Sequence, residues 1–368
     1  MQKVLASLLV LVGFTFLSVP IAANPERLSA TANQFIRSLN NAQKVQAVHD
    51  LKSDSRATWS NFPIVMAPPV GILLSQLNDQ QRALVQQMMQ TSLSSQGHLK
   101  ANAIIWLDDF LRIQEKAALD PGADQYEIRS VMAETRSSGN YAVAIFGEPN
   151  SATWGWKITG HHIGVNITVA NNKVGFFPLH LGSNPLIITT GPYAGFTPLA
   201  KESELGLDFF ASLSPQQRSA AGANKEQPRE MFEGPGRRGG LTAFEGLNAK
   251  LLDADQRASL QILVAEHVRN GSSTSAASHL DLIADAGWEN LWFSWRGQAC
   301  GHCEFYYRVQ GPRLLIEYFR QSPNHVHLVV RDPKNDYGED WLGHHYSESH
   351  PSFEDAMVNL RKAAGVSE

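Results

Sequence analysis

Hydrophobic alternation with a period of two starts after Gly139 and recurs almost to the end of the chain, and this pattern constrains the fold most. Tyr141–Phe146 is one such stretch, and Trp154 through Val169 reads as a longer strand. In an extended strand successive side chains point to opposite faces. On that reading His161 lies with Ile163, Val165, Ile167 and Val169, and His162 lies with Asn166 and Thr168. Asn171-Asn172 marks a turn, and Val174–Leu181 is expected to return as the hairpin partner. The pattern resumes at Leu291, and Gly311-Pro312 separates two further paired runs. Hairpins of this kind build antiparallel sheets.

Between and before these runs the spacing of apolar residues is helical. Residues 26–50 read as one helix, and 99–119 as another, with Asp108-Asp109 expected on its solvated face or beside Arg112. Three short segments share one chemistry: Asn78 to Gln81, Ser214 to Gln217 and Asp253 to Gln256. Each places a capping residue three positions before a Gln, the arrangement of a capping box at a helix start. Helices are also expected near 255–269, 277–286 and 353–363, and the Gly-rich segment 222–241 reads as a surface loop or hinge. Runs of helices alternating with runs of hairpins predict an α+β fold, with a helical N-terminal part packed on an antiparallel sheet. The expected organisation is a signal segment over 1–23 and one domain over 24–368. That domain is helical over 24–120, sheet-rich over 139–200 and 290–346, and carries a helical insert over 203–287.

Lys3, the apolar stretch Val4–Leu17 and the small residues before Asn24 have the form of a cleaved signal peptide. The expected location is therefore the periplasm or the extracellular space. The apolar run falls short of the roughly 20 residues of a spanning helix, so no stable membrane insertion is expected after cleavage. The whole chain has net charge −4, and loss of Lys3 makes the remainder slightly more acidic. No basic face stands out, which argues against nucleic-acid binding. The two cysteines, Cys300 and Cys303, lie between strand-like runs, where a hairpin loop closed by a bridge fits better than a redox motif.

Histidines concentrate in the strand-like regions. In Asn324-His325-Val326-His327 the two imidazoles share one face, about 7 Å apart along the strand. His161, His162 and His345 complete the candidate metal-ligand set, with His162 the better placed of the first pair. His180 is a weaker candidate, and His302 is expected to be exposed in the cysteine loop. Glu317, Arg331, Asp332 and Asp336 are candidate catalytic or supporting residues, with Glu317 a ligand or orienter and Arg331 a clamp for an anionic group. Imidazoles with a carboxylate suit Zn²⁺, Cu²⁺ or Fe²⁺. An exported metal-dependent oxidoreductase or hydrolase acting on a small molecule, saccharide or peptide is one expectation. A non-catalytic binding protein is another, using a cleft lined by Trp154, Trp156, Trp292, Trp295, Tyr306 and Tyr307. A metal-free hydrolase with a His–Asp acid–base pair is a third.

Several combined motifs resemble the bacterial family "domain of unknown function 3500". They are Trp154-Gly-Trp-Lys with Gly160-His161-His162; Gly182-Ser-Asn184-Pro185; Tyr306-Tyr307-Arg308 with Gly311-Pro312; Ile316-Glu317-Tyr318; and Asn324-His325-Val326-His327 through Asp332-Pro333, Asp336-Tyr337-Gly338 and His345-Tyr346. The cysteine loop stands outside this pattern. The resemblance implies one exported domain and brings no activity, substrate or cofactor.

Overall fold

The computed structural model describes residues 24–235, 237, 239–241, 243–339 and 341. The signal segment, His345 and the helix expected near 353–363 lie outside the described residues. The helices are α1 (Pro25–Ser38), α2 (Asn41–Ala47), α3 (Asp79–Ser92), α4 (Ser95–Ala117), α5 (Tyr126–Glu134), α6 (Ala200–Ser212), α7 (Pro215–Ala221), α8 (Ala254–Val268) and α9 (Ser273–Asp285). The strands are β1 (Val48–His49), β2 (Ile72–Leu73), β3 (Ala142–Phe146), β4 (Thr153–Gly160), β5 (Ile163–Ala170), β6 (Lys173–Gly175), β7 (Leu179–Ser183), β8 (Leu247–Asn248), β9 (Trp292–Gly297), β10 (Phe305–Gly311), β11 (Leu314–Ser322) and β12 (His325–Arg331). Among the described residues no helix is long and apolar enough to cross a membrane.

Capping chemistry sets the helix ends. The three expected boxes form, and a fourth, Asn40 with Gln43, splits the single helix expected over 26–50 into α1 and α2. The four boxes work as two pairs. Gln43 and Gln81 touch side chain to side chain, and Gln81 donates to the Ser38 carbonyl at 2.8 Å. Gln217 and Gln256 do the same, and Gln256 donates to the Ser212 carbonyl at 2.9 Å. In the first half the network ties α3 to α1; in the second it ties α8 to α6. The recurrent motif thus marks a structural duplication rather than isolated helix starts.

The sheet repeats the same theme. Its strand order is β1-β3-β4-β5-β7-β12-β11-β10-β9-β8, with β2 beside β3 and β6 beside β5. Read from either edge, the order is the same: a short strand, then three hairpin-linked strands, then a central strand. The two halves meet where β7 and β12 pair antiparallel, Leu179 opposite Val330. Across the helical layer the halves meet again at the Leu93–Gly271 bridge, where Ser94 donates to Asn270 and Ser272 donates to Ser92, both at 3.1 Å. The two halves thus repeat one strand order about the β7–β12 pair. Among the described residues only the β1–β3 pairing is parallel, so the molecule is α+β with a mostly antiparallel sheet.

One face of the sheet carries Trp154, Trp156, Ile158, Val165, Ile167, Leu328 and Val330, and it packs against Leu28, Phe35, Val85, Met88, Leu260 and Val264 of the helices. The other face carries buried polar side chains, including Lys157, Asn166, His180, Arg308, Glu317 and Arg331. Irregular segments cover it, and their main-chain groups need partners that no ladder supplies. Lys157 therefore donates to the carbonyls of Ser55 and Thr58, and Glu317 accepts from the amides of Phe232 and Glu233. The segment 222–241 is thus more than a surface loop: Met231 and Glu233 are buried against the sheet.

Two strand assignments change. Trp154–Val169 is a β4–β5 hairpin, with Gly160 opposite Ile163 and a two-residue turn at His161-His162. Val174–Leu181 falls into two strands, β6 and β7, broken at Phe176-Phe177-Pro178. Cys300 and Cys303 form a disulfide in the β9–β10 loop.

Candidate metal centre

The β4–β5 turn places two adjacent imidazoles at the end of the sheet, which alternation along a single strand would separate. His162 has φ +64°, a left-handed conformation that the tight turn imposes. Its ring stacks on that of His161 at 3.7 Å between centroids. The start of β12 then brings His325 and His327 to the same place, because β12 lies beside β7 and β7 beside β5. Gly182 of β7 pairs with His327, and a Cβ there would sit 2.9 Å from both the His162 and His327 rings. Only glycine lets the two rings close over this strand.

Nε2 of His162 lies 2.9 Å from Nε2 of His325. One ring nitrogen from each of His162, His325 and His327 falls within 4.8 Å of the others. Two nitrogens that share an ion at 2.0–2.1 Å stand about 3.0–3.4 Å apart, close to the His162–His325 spacing. Burial, followed by the neighbouring His161, His325 and His327 rings, holds His162 well below the usual imidazole range. Burial and the same crowding hold His327 well below it, and burial with His161 and Arg136 lowers His325 to about 4. At neutral pH the three rings are uncharged, the protonation state in which imidazole binds metal.

His161 belongs to a second layer. Its Nδ1 lies 2.6 Å from Asp108 Oδ1, and its Nε2 lies 2.9 Å from Arg136 Nη1. Nδ1–H donating to the carboxylate, with Nε2 accepting from the guanidinium, satisfies both contacts. The Tyr141 hydroxyl lies 2.9 Å from both Asp108 Oδ2 and the His161 carbonyl, with one proton to share between these two acceptors. Arg136 is anchored in turn by Glu115 at 3.2 Å. His161 therefore fixes the turn and the ring stacked on it, and does not join the three-nitrogen set.

The other sequence candidates are not brought together with these rings. His180 stacks on Trp59 and comes no closer than 5.8 Å, ring to ring, to His327. Glu317 accepts from Phe232, Glu233 and Tyr306. Arg331 pairs with Asp336 and donates to the carbonyls of Glu233 and Arg237, which ties down the covering loop. Asp332 pairs with Arg313 at the far end of β12. His345 lies outside the described residues. His302 is exposed, and the cysteines beside it are oxidised to a disulfide rather than free to bind metal. Trp154, Trp156, Trp295, Tyr306 and Tyr307 are buried in packing, so they form no open aromatic cleft.

Asp108, expected on the solvated face of its helix or beside Arg112, is instead 4 % exposed and bonded to Tyr141 and His161 at the sheet. Its signal was present, because Asp108 falls on the stripe of Ala101, Ile104, Ile105 and Leu111, a polar residue where the core requires an apolar one. Arg136 and Gly182 left no comparable mark.

The family described as Protein of unknown function (DUF3500) has a model that matches residues 22–339. The chain belongs to this family. The DUF3500 match takes in both halves of the duplication and all three converging histidines. No curated protein and no solved structure matches the chain.

Proposed function

We propose that this DUF3500 member is an exported metal-dependent enzyme whose centre is formed by His162, His325 and His327. The convergence of three neutral imidazoles at one end of the sheet carries this reading. Among the described residues no carboxylate joins the set. Three imidazoles without a carboxylate suit Zn²⁺ or Cu²⁺ better than the two-histidine, one-carboxylate pattern of non-haem iron. An ion held by three protein nitrogens keeps a position for water or substrate, and it brings the pKa of bound water toward neutrality. The reaction class favoured is hydrolysis of a small-molecule, saccharide or peptide substrate. Asp108, His161 and Arg136 hold the turn that presents His162. Export rests on the charged, apolar and small-residue pattern of residues 1–23.

The test is metal analysis of protein purified without chelator, then again after reconstitution with Zn²⁺, Cu²⁺ or Fe²⁺. About one equivalent is expected, falling to background in His325→Ala and His327→Ala variants that keep their melting behaviour. Absence of stoichiometric metal under every condition overturns the reading.

A further inference from the structure

The cysteine loop takes no part in the histidine centre, and the fold does not explain its bridge. The loop joins β9 to β10 and carries Cys300-Gly301-His302-Cys303 at its tip. Beneath it the ladder is complete to Gly297 opposite Phe305, and Gln298 donates its amide to the Glu304 carbonyl at 3.1 Å. The hairpin is therefore closed below the cysteines. Stabilisation by a disulfide grows with the length of chain it closes, and this one joins residues only three apart. It ties no second element to the sheet, so its reduction leaves the core in place.

What the tip does bring together is three ligand atoms. Cys303 donates its amide to the Cys300 carbonyl at 3.1 Å, a turn that keeps the two sulfurs neighbours with or without the bond between them. The two Sγ atoms and one ring nitrogen of His302 lie within 4.8 Å of one another. Thiolate and imidazole ligands on a tetrahedral Zn²⁺, at about 2.3 and 2.0 Å from it, stand roughly 3.5–3.8 Å apart. Breaking the sulfur–sulfur bond lets the side chains turn to that spacing. Gly301, His302 and Glu304 are exposed and both cysteines are half-buried. A Cβ at Gly301 would meet nothing within 4 Å, so the tip stands clear of the rest of the protein and a reductant or an ion can reach it. Catalysis of thiol exchange suits the site less, because it draws on a thiolate stabilised at a helix N-terminus, and strands flank these cysteines.

We propose that the tip is a redox-gated site for a thiophilic cation of the Zn²⁺ or Cu⁺ kind, held by Cys300, His302 and Cys303. The disulfide is the closed form. A dithiol reductant opens it: one of its thiolates attacks one sulfur of the bridge, and the other cysteine leaves as a thiolate. The second thiolate of the reductant then displaces the first cysteine and closes its own disulfide, so two electrons pass to the protein. The cation takes the place of the two thiol protons, which go to solvent. His302 supplies the third ligand, and water or an external group the fourth. Thiolates favour Zn²⁺ and Cu⁺ over hard cations such as Mg²⁺ or Ca²⁺. The proposal does not depend on the reading of His162, His325 and His327.

The tip shares one end of the sheet with His325, since Gly297, Phe305, Arg320 and Val326 lie in register across it. The experiment therefore separates the two sites by ligand type. The full mature protein is reduced with a dithiol, desalted without oxygen and titrated with Co²⁺, a coloured stand-in for Zn²⁺. Thiol titration should first find both cysteines free, with the melting transition unmoved. Co²⁺ should then give a near-ultraviolet thiolate charge-transfer band, which imidazoles alone do not give, and Zn²⁺ should erase it. The oxidised protein and Cys303→Ser should show no such band. Loss of a group that merely braces a metal ligand costs about tenfold or more in affinity, so His302→Ala should cost at least that. The proposal falls if the reduced protein gives no thiolate band, if the oxidised protein gives one, or if His302→Ala binds as tightly as its parent. A bridge that resists the dithiol in the folded protein, or a fold that melts once the bridge is reduced, overturns the gate.

Discussion

Glu317→Gln is the most discriminating single substitution, because Glu317 is either a catalytic carboxylate or a strut. The carboxylate is fully buried and accepts three hydrogen bonds: from the Phe232 amide at 2.8 Å, the Glu233 amide at 2.7 Å and the Tyr306 hydroxyl at 2.7 Å. All three partners are donors. A glutamine keeps the shape, but its NH2 group must face one of them. With its oxygen in place of Oε1, the Glu233 amide loses its acceptor and stays buried, at a cost of about 1.5–3 kcal/mol for a bond to a charged group. The other two bonds fall from charge-assisted to neutral strength, for about another 1–2 kcal/mol. Against this, burial disfavours the ionised carboxylate and raises its pKa, and a neutral amide escapes that penalty. The net expectation is a loss of about 2–4 kcal/mol. Urea unfolding at pH 7 should show it as a midpoint lowered by about 1 M, for a slope near 3 kcal/mol/M. The covering segment 226–241 should become easier to cleave with trypsin, since its anchor is weakened, while metal stoichiometry stays at the parent value. An unchanged midpoint together with lost metal or activity would refute this reasoning and return Glu317 to the chemistry.

Gly182→Ala should push the His162 and His327 rings apart, because the added carbon meets both at 2.9 Å; metal affinity measured by competition with a chelator should drop at least tenfold, and an unaltered affinity contradicts the close approach. Asp108→Asn replaces an acceptor of two donors with a group that must turn an NH2 toward one of them, so thermal or urea unfolding should report a loss of about 1–3 kcal/mol with metal stoichiometry retained; loss of the metal at full stability would place Asp108 in the ligand set instead. His267 is buried, donates to or accepts from Tyr307 at 2.8 Å, and is lowered to about 3 by burial and then by Lys100. A depressed folded pKa means that its contribution is complete above the unfolded value of about 6.5 and is lost as pH falls toward 3, amounting to about 2 kcal/mol by pH 5. His267→Gln should accordingly flatten the fall in urea midpoint between pH 7 and pH 5, and an unflattened profile shows that this ring does not drive it.

The sequence by itself determined the local structure. Capping pairs such as Asn78 with Gln81 fix helix starts through bonds three residues apart, and period-two alternation makes Phe305–Gly311 and His325–Arg331 strands whatever surrounds them. It also drew out His161, His162, His325, His327 and His345 as a set, since clustered histidines are conspicuous, but not which of them meet. It misread the His161-His162 turn as strand because a two-residue hairpin turn normally advertises itself with Asn or Gly, and here two histidines fill it. Only the tertiary structure decided which candidates meet. His162 and His325 are far apart in the chain, and their 2.9 Å approach depends on β7 lying between β5 and β12, with glycine at the crossing. The same long-range pairing drew Asp108 inward to His161 and assigned Glu317 and Arg331 to the covering loops. Hydrogen bonds within a few residues are written in local sequence; the pairing of distant strands is selected by burial summed over the whole sheet, and no short segment contains that sum.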